Sequence, residues 1–462
     1  MTFASSGERM NQEELVLADI ARIQDYILSP WRLKLNRGAS QIIRELNERV
    51  LRDLVDSLGG RVIYSNGGNV LAALPHGKSG RFQLEAEREL RRRAETAVIR
   101  TAVCDYQSPH EFPVRYEEIL EKMARLKGTA AFSDSPGSMP FWDPCGACGL
   151  YPAATWSRYE SERRLCWACQ LREEASDRYA VNWRRPLPED FDDIAGCSVP
   201  AGYLALIYVD LDGMGDYFRR EATSEDRLGE VSDRIDDSVK AGVARACEKP
   251  RLCEVLLIGG DEAAVVVPAQ CVFDFLAEFQ AGFLEMYFKA LDSGRSMPKT
   301  APTFSAGVAL AHSHFPISEF FRIATRLLRS AKRLRGQDSV DYEIISTSIS
   351  GDPLENRDRV ARLGAGRFRT AKPYPLKGFL DLANGVRQLK LDAPANKIKS
   401  LYRIAYRGLR QAELEYLYVL SRLDETSAAS LRRLMGAEFW CDMPDGRTVT
   451  HAADIAELWE FV

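Results

Sequence analysis

The sequence predicts an α+β fold containing two ferredoxin-like domains. Three observations carry that prediction. Apolar, β-rich runs alternate with helical stretches in the order βαββαβ, with one late extra strand, within residues 203–350. The same order recurs within residues 1–127. The spacing recurs too: Asp19 to Gly67 spans 48 residues, and Asp210 to Gly259 spans 49.

In the second copy, YLALIYVD (203–210) is a continuous apolar run, the pattern of a strand buried on both faces. A helix is expected near 224–247. EVLLI (254–258), the turn GGDE (259–262) and AAVVV (263–267) read as a hairpin, since Gly and Asp suit tight turns. A helix over 271–290, the strand FSAGVAL (304–310), a helix over 317–334 and the strand YEIIS (342–346) complete the unit. In the first copy, ELVLADI (14–20), a helix over 39–58, the hairpin VIYS–NGGN–VLAAL (62–74), a charged helix over 81–97 and VIRTAVCDY (98–106) follow the same plan. Stretches rich in Gly, Pro, Ser and Asp at 128–144, 184–202 and 351–378 read as linkers. The expected organisation is a first domain at 1–127 and a cysteine-bearing insert at 128–202. A second domain at 203–350 and a mostly helical C-terminal part at 351–462 follow.

Composition bounds the function. The chain has 462 residues, 45% hydrophobic and 28% charged, ordinary for a globular protein with more than one core. Acids outnumber bases 66 to 62, which excludes a uniformly basic nucleic-acid coat but not a local basic groove. No apolar run approaches the ~18 residues of a membrane helix, and MTFASSGERMNQEE has no signal-peptide core. A cytoplasmic protein without membrane contact is expected.

Four of the ten cysteines form two tight pairs, Cys145-x-x-Cys148 and Cys166-x-x-Cys169, separated by 17 residues. That spacing is the signature of one structural Zn²⁺ in a zinc-ribbon-like insert, four thiolates closing the tetrahedron. Redox pairs are the alternative.

The second copy carries the acids. Asp210 and Asp212 end a buried strand, and Asp261 and Glu262 sit in the adjacent hairpin turn. The fold is expected to bring up to four carboxylates to one sheet edge. Like charges so close repel unless cations neutralise them, and hard Mg²⁺ or Mn²⁺ suits oxygen ligands. Gly259 and Gly260 have no side chains, so a triphosphate can approach their backbone. A plain polar turn is the bland alternative.

These residues resemble the GGDEF nucleotidyl-cyclase and polymerase palm superfamily, and most closely the large polymerase-like subunit of type III CRISPR effector complexes. DLDGMGDYF (210–218), IGGDEAAVVV (258–267), the strand–helix segment 305–332 and AKPYPL (371–376) carry the resemblance in the second copy. DIARIQDYI (19–27) and RGAS (37–40) carry it in the first. The resemblance makes both ferredoxin-like units palm domains. It implies that Asp210, Asp261 and Glu262 bind two catalytic Mg²⁺ or Mn²⁺ ions, with Asp212 a further candidate. It also implies that Lys332 touches a triphosphate; a solvated lysine is the alternative. Arg322, Arg326, Arg329 and Arg333 share one helical face, which suits phosphate or RNA or, as a charge run more commonly does, solvent.

Gly67, Gly68, Asn69 and Val70 stand in the first copy where GGDE stands in the second. Asp19 alone cannot hold two divalent ions, so this palm is expected to be catalytically inactive. Gly67, Gly68 and Asn69 serve there either a second ATP in a composite pocket, as the resemblance implies, or simply a structural turn. No His-Asp dipeptide occurs, so a compact form without the HD nuclease domain is expected.

The resemblance implies an ATP-using synthase of cyclic oligoadenylates. Its expected partners are guide RNA, target RNA and the other effector subunits. A non-catalytic RNA- and protein-binding scaffold, or a stand-alone nucleotide cyclase, are the rival functions.

Overall fold

The computed structural model describes residues 12–129, 141–179, 187–289, 300–345, 352–364, 366–436, 438–443 and 445–462. Parts of the expected linkers (130–140, 184–186 and residue 351) lie outside the described residues.

The first palm begins with β1 (Glu13–Ala21), α1 (Ile23–Leu28) and α2 (Leu33–Glu45). A π-helical turn (Leu46–Val50) then leads into α3 (Leu51–Ser57), so the helix expected from residue 39 starts earlier and is interrupted. β2 (Arg61–Asn66), β3 (Asn69–Pro75), α4 (Ser79–Arg93), β4 (Val98–Tyr106) and α5 (Phe112–Thr129) follow. The sheet order is β2-β3-β1-β4, the ferredoxin-like arrangement. β1 is apolar over Leu15–Ala18 and again at Ile20 and Ala21 because both its faces are covered there. Leu15 and Leu17 pack with Phe112 and Ile119 of α5, whereas Val16, Ala18 and Ile20 enter a core shared with the second palm.

The insert contains the short hairpin β5 (Thr155–Trp156) and β6 (Arg164–Leu165), then α6 (Trp167–Ser176). Here α6 lies on α2 so closely that a Cβ on Gly38 would fall 1.7 Å from the Arg172 carbonyl oxygen. Only glycine fits at that crossing. The short α7 (Phe191–Ala195) leads into the second palm.

The second palm contains β7 (Tyr203–Leu211), α8 (Met214–Glu221), α9 (Glu225–Ala246), β8 (Glu254–Gly259), β9 (Glu262–Pro268), α10 (Val272–Lys289), β10 (Phe304–His312), α11 (Ile317–Ala331) and β11 (Ser339–Ile345). α8 was not expected from the sequence, and β11 starts three residues before the predicted strand. Along β7, Ala205, Ile207 and Val209 face one core with α9 and α10. Leu204, Leu206 and Tyr208 face the core shared with the first palm. That alternation buries both faces and explains the continuous apolar run.

Beyond it come α12 (Pro353–Ala361), β12 (Arg362–Gly364), β13 (Arg367–Phe368) and β14 (Tyr374–Pro375). The stretch expected as a linker is therefore structured, and β14 joins the second palm's sheet, ordered β14-β11-β10-β7-β9-β8. Helices α13 (Leu376–Asp392), α14 (Ala395–Ala405), α15 (Leu409–Ser421) and α16 (Glu425–Met435) follow. The chain then forms β15 (Cys441–Asp442), β16 (Thr448–Val449) and α17 (Ala452–Leu458). β12, β13, β16 and β15 make a small sheet that helical periodicity did not foretell. Among the described residues no helix is long and apolar enough to cross a membrane.

Candidate nucleotide and metal site

The β7–β9 ladder sets Asp210 directly opposite Glu262. The hairpin turn between β8 and β9 consists of Gly260 and Asp261, and the Leu211 amide donates to the Asp261 carbonyl over 3.0 Å. The strand end and the turn are thereby tied together. Directly opposed residues share a sheet face. Tyr208 lies two residues before Asp210 and on the same side, and its hydroxyl donates to the Glu262 carboxylate.

Each carboxylate has distinct surroundings. Gln24, on α1 of the first palm, donates to Glu262 over 3.3 Å and to the Tyr208 hydroxyl over 2.5 Å. Lys332, just past the end of α11, ion-pairs with Asp210. Burial pushes the carboxyl pKa values of Asp261 and Glu262 above the usual range, and Asp261 adds to the effect on Glu262. Burial draws that of Lys332 down. Asp212 faces β10 instead, accepting from the hydroxyls of Ser305 (2.8 Å) and Thr303 (2.9 Å). The expected four-carboxylate edge is therefore three carboxylates, with Asp212 committed elsewhere. Among the described residues those three do not converge as a ready cluster of metal-ligating atoms. They nevertheless fit a hard divalent cation by chemistry: three carboxylates at one strand end, two of them biased by burial against carrying uncompensated charge.

Beside Glu262 a small pocket of about 50 Å³ opens between the two palms. Gly67, Gly68 and Asn66 line it from the first palm, and Gly259, Glu262, Asp236 and Lys240 from the second. The Gly260 amide donates to Asp236 over 2.7 Å, and Asp236 pairs with Lys240 at 2.7 Å. Asn69, Asp210, Asp261, Gly260 and Lys332 lie outside the lining.

Pairing corrects the alignment of the two turns by one residue. Asn69 lies opposite Asp19 as Glu262 lies opposite Asp210, so Gly68, not Asn69, takes the place of Asp261. Asp19 is also already neutralised, by Lys127 at 2.8 Å. The first palm thus presents an amide and a paired carboxylate where the second presents three acids.

In the insert, the Sγ atoms of Cys145, Cys148, Cys166 and Cys169 all lie within 4.8 Å of one another. Cys148 and Cys166 are 3.8 Å apart, the edge of a tetrahedron with Zn–S bonds of about 2.3 Å. All four residues are buried, with no open position for substrate, so the donor set fits a structural zinc.

Residues 203–341 match the family model of the Cas10/Cmr2 second palm domain. Over that segment the chain is similar to Cas10/Cmr2. Solved structures extend the fold likeness to nearly the whole chain. The crystal structure of Csm1 from T. onnurineus is 14% identical, with a TM-score of 0.64, over 98% of this chain and 70% of that one. A Csm1–Csm4 cassette in complex with cA3 is 14% identical, with a TM-score of 0.60, over 100% of this chain and 71% of that one. A cassette in complex with one ATP is 13% identical, with a TM-score of 0.59, over 98% and 70%. No curated protein matches.

In this chain, sequence reasoning missed Gln24, Tyr208 and Asp236. Gln24 stands inside DIARIQDYI, and Tyr208 is at strand spacing from Asp210, so both carried a signal. Asp236 carried none: it reaches Gly260 only because α9 packs beside the turn.

Proposed function

We propose that this chain is a metal-dependent nucleotidyltransferase of a type III CRISPR effector complex, making cyclic oligoadenylates from ATP with Mg²⁺ or Mn²⁺. The observation that supports it most is the Asp210–Glu262 pair at the end of β7, beside a pocket that both glycine turns line, within the segment that matches the Cas10/Cmr2 palm. In the proposed reaction a 3′-hydroxyl attacks an α-phosphate and pyrophosphate leaves. Two divalent ions would supply charge neutralisation at the attacking and leaving oxygens. Asp210, Asp261 and Glu262 would hold them, with Asp261 and Glu262 kept deprotonated by that charge. Gly67, Gly68 and Gly259 line the pocket and would offer backbone to the nucleotide, and Lys332 would exchange Asp210 for a phosphate. The printed ligands of the Csm1–Csm4 cassettes, ATP and cA3, support adenine nucleotides as substrate and product. Their composition supports a Csm4-type subunit as partner; guide and target RNA would be the activating ligands of the assembled complex.

The unconverged carboxylates and the Lys332–Asp210 pair favour a second reading, a non-catalytic scaffold. One experiment separates the two. Wild type and the double variant Asp261→Ala/Glu262→Ala are incubated with labelled ATP and Mg²⁺ or Mn²⁺, with and without RNA, while complex assembly is followed in parallel. Removal of one key electrostatic group typically costs about 10²–10³ in rate, and loss of two ligands should abolish product while assembly persists. Full activity of the double variant refutes the site. No product from assembled wild type under any RNA condition establishes the scaffold.

A further inference from the structure

A basic concavity lies away from the carboxylates, where the end of α11 meets the C-terminal region. It is an open groove of about 760 Å³. Six cations line it: Arg333, Arg357, Arg359, Arg362, Lys372 and Arg447; only two carboxylates do, Asp358 and Asp445. The cations come from four separate chain segments, so the charge is assembled by the fold rather than by one helix.

Three of the six are held by carboxylates. Arg357 is buried against Asp341 at 2.8 Å, and Lys372 against Glu457 at 2.7 Å. Arg447 is held by Asp445 at 2.7 Å. Arg333, Arg359 and Arg362 are exposed and have no carboxylate partner among the described residues. The groove therefore keeps an unneutralised positive rim, in a protein whose net charge is −4.

The arginine face of α11 divides accordingly. Arg322 and Arg326 pair with Asp352 and belong to the fold. Arg333 lies past the helix end and turns its charge to the groove.

The groove also has an aromatic wall. Phe368 lines it, with the guanidinium groups of Arg362 and Arg447 each 5.9 Å from its ring centroid. A positively charged track beside an aromatic ring is the equipment for single-stranded nucleic acid: cations follow the backbone and a ring or guanidinium plane stacks a base.

We infer that this groove binds the backbone of a single-stranded nucleic acid through Arg333, Arg359 and Arg362, with Phe368 as a stacking surface. The inference does not rest on nucleotidyl transfer, so Asp261→Ala/Glu262→Ala should bind the strand as wild type does.

The test is fluorescence anisotropy with a labelled single-stranded RNA of about 12 nucleotides, within the span such grooves cover, over a range of salt concentrations. The double variant Arg333→Ala/Arg362→Ala should bind about tenfold more weakly, and the slope of log K against log salt should fall in magnitude by about 1.4 for two lost phosphate contacts. Thermal melting shows whether the variant is folded, and Arg333→Glu alone, at an exposed position, gives an independent loss. Unchanged affinity and slope in both variants overturn the inference. Displacement of the RNA by inorganic tripolyphosphate as readily, per phosphate, as by unlabelled RNA would overturn the strand and leave a simple anion pocket.

Discussion

Gly260 and Gly67 meet tip to tip: a Cβ built on Gly260 would lie 3.1 Å from the Cα of Gly67. The two hairpin turns of the duplicated palms thus touch through backbone, next to the pocket they share. Both residues have positive φ, +63° and +60°. Duplication therefore leaves the two turns lining one shared pocket.

Gly260→Ala should cost more than the left-handed backbone penalty of about 1–2 kcal/mol, because the opposing atom is backbone and cannot swing aside. Gly77→Ala is the control, since Gly77 has φ +78° but nothing within 4 Å of its would-be Cβ. Denaturant unfolding of both variants checks this. Equal losses would show that the tips do not touch in solution.

The register predicts an asymmetry between the palms. Glu262→Gln should weaken Mn²⁺ binding by about tenfold or more, as disturbing a metal's surroundings commonly does. Asn69→Ala, at the equivalent place opposite Asp19, should leave it nearly unchanged. Titration calorimetry with Mn²⁺ decides, and the reverse order would move the metal to the first palm.

Cys166→Ser should lose the zinc. Structural zinc contributes on the order of 10 kcal/mol of apparent binding energy, so the insert should lose protection from proteolysis. The loss should spread to α2, because α6 seats on Gly38. Elemental analysis finding no zinc in freshly purified wild type would refute the assignment.

Glu343 gives a pH dependence with a defined sign. Burial raises its pKa from 4.5 to about 7, against the opposing pull of Lys372 and Arg357. A raised carboxyl favours folding below its unfolded pKa, and that contribution disappears as pH rises through about 7. The shift bounds the effect at about 3 kcal/mol. Glu343→Gln should therefore gain stability relative to wild type between pH 5.5 and pH 8 or so. Parallel melting curves at the two pH values test it, and a constant difference would count against the raised pKa.

Much of the fold was legible because its strands are local patterns. The β7 run is apolar at each position because sheet and helices cover both faces, and the turns carry glycine because φ is positive there. The register between palms was not legible. Matching Gly67–Gly68 to Gly259–Gly260 by their glycines sets Asn69 against Asp261, whereas the ladders set Asn69 opposite Asp19 as Glu262 stands opposite Asp210.

By itself, the sequence determined the duplicated α+β plan, the four zinc-type cysteines and the acids at a strand end and a turn, since each is written in spacing over a few tens of residues. The tertiary structure alone decided which groups meet. Gln24 reaches Glu262 across 238 residues of chain, Lys332 reaches Asp210 across 122, and Asp212 turns to Ser305 instead of joining its neighbours. The physical reason is that periodicity fixes which face a side chain occupies. The partner across that face is supplied by packing between elements that no local pattern records.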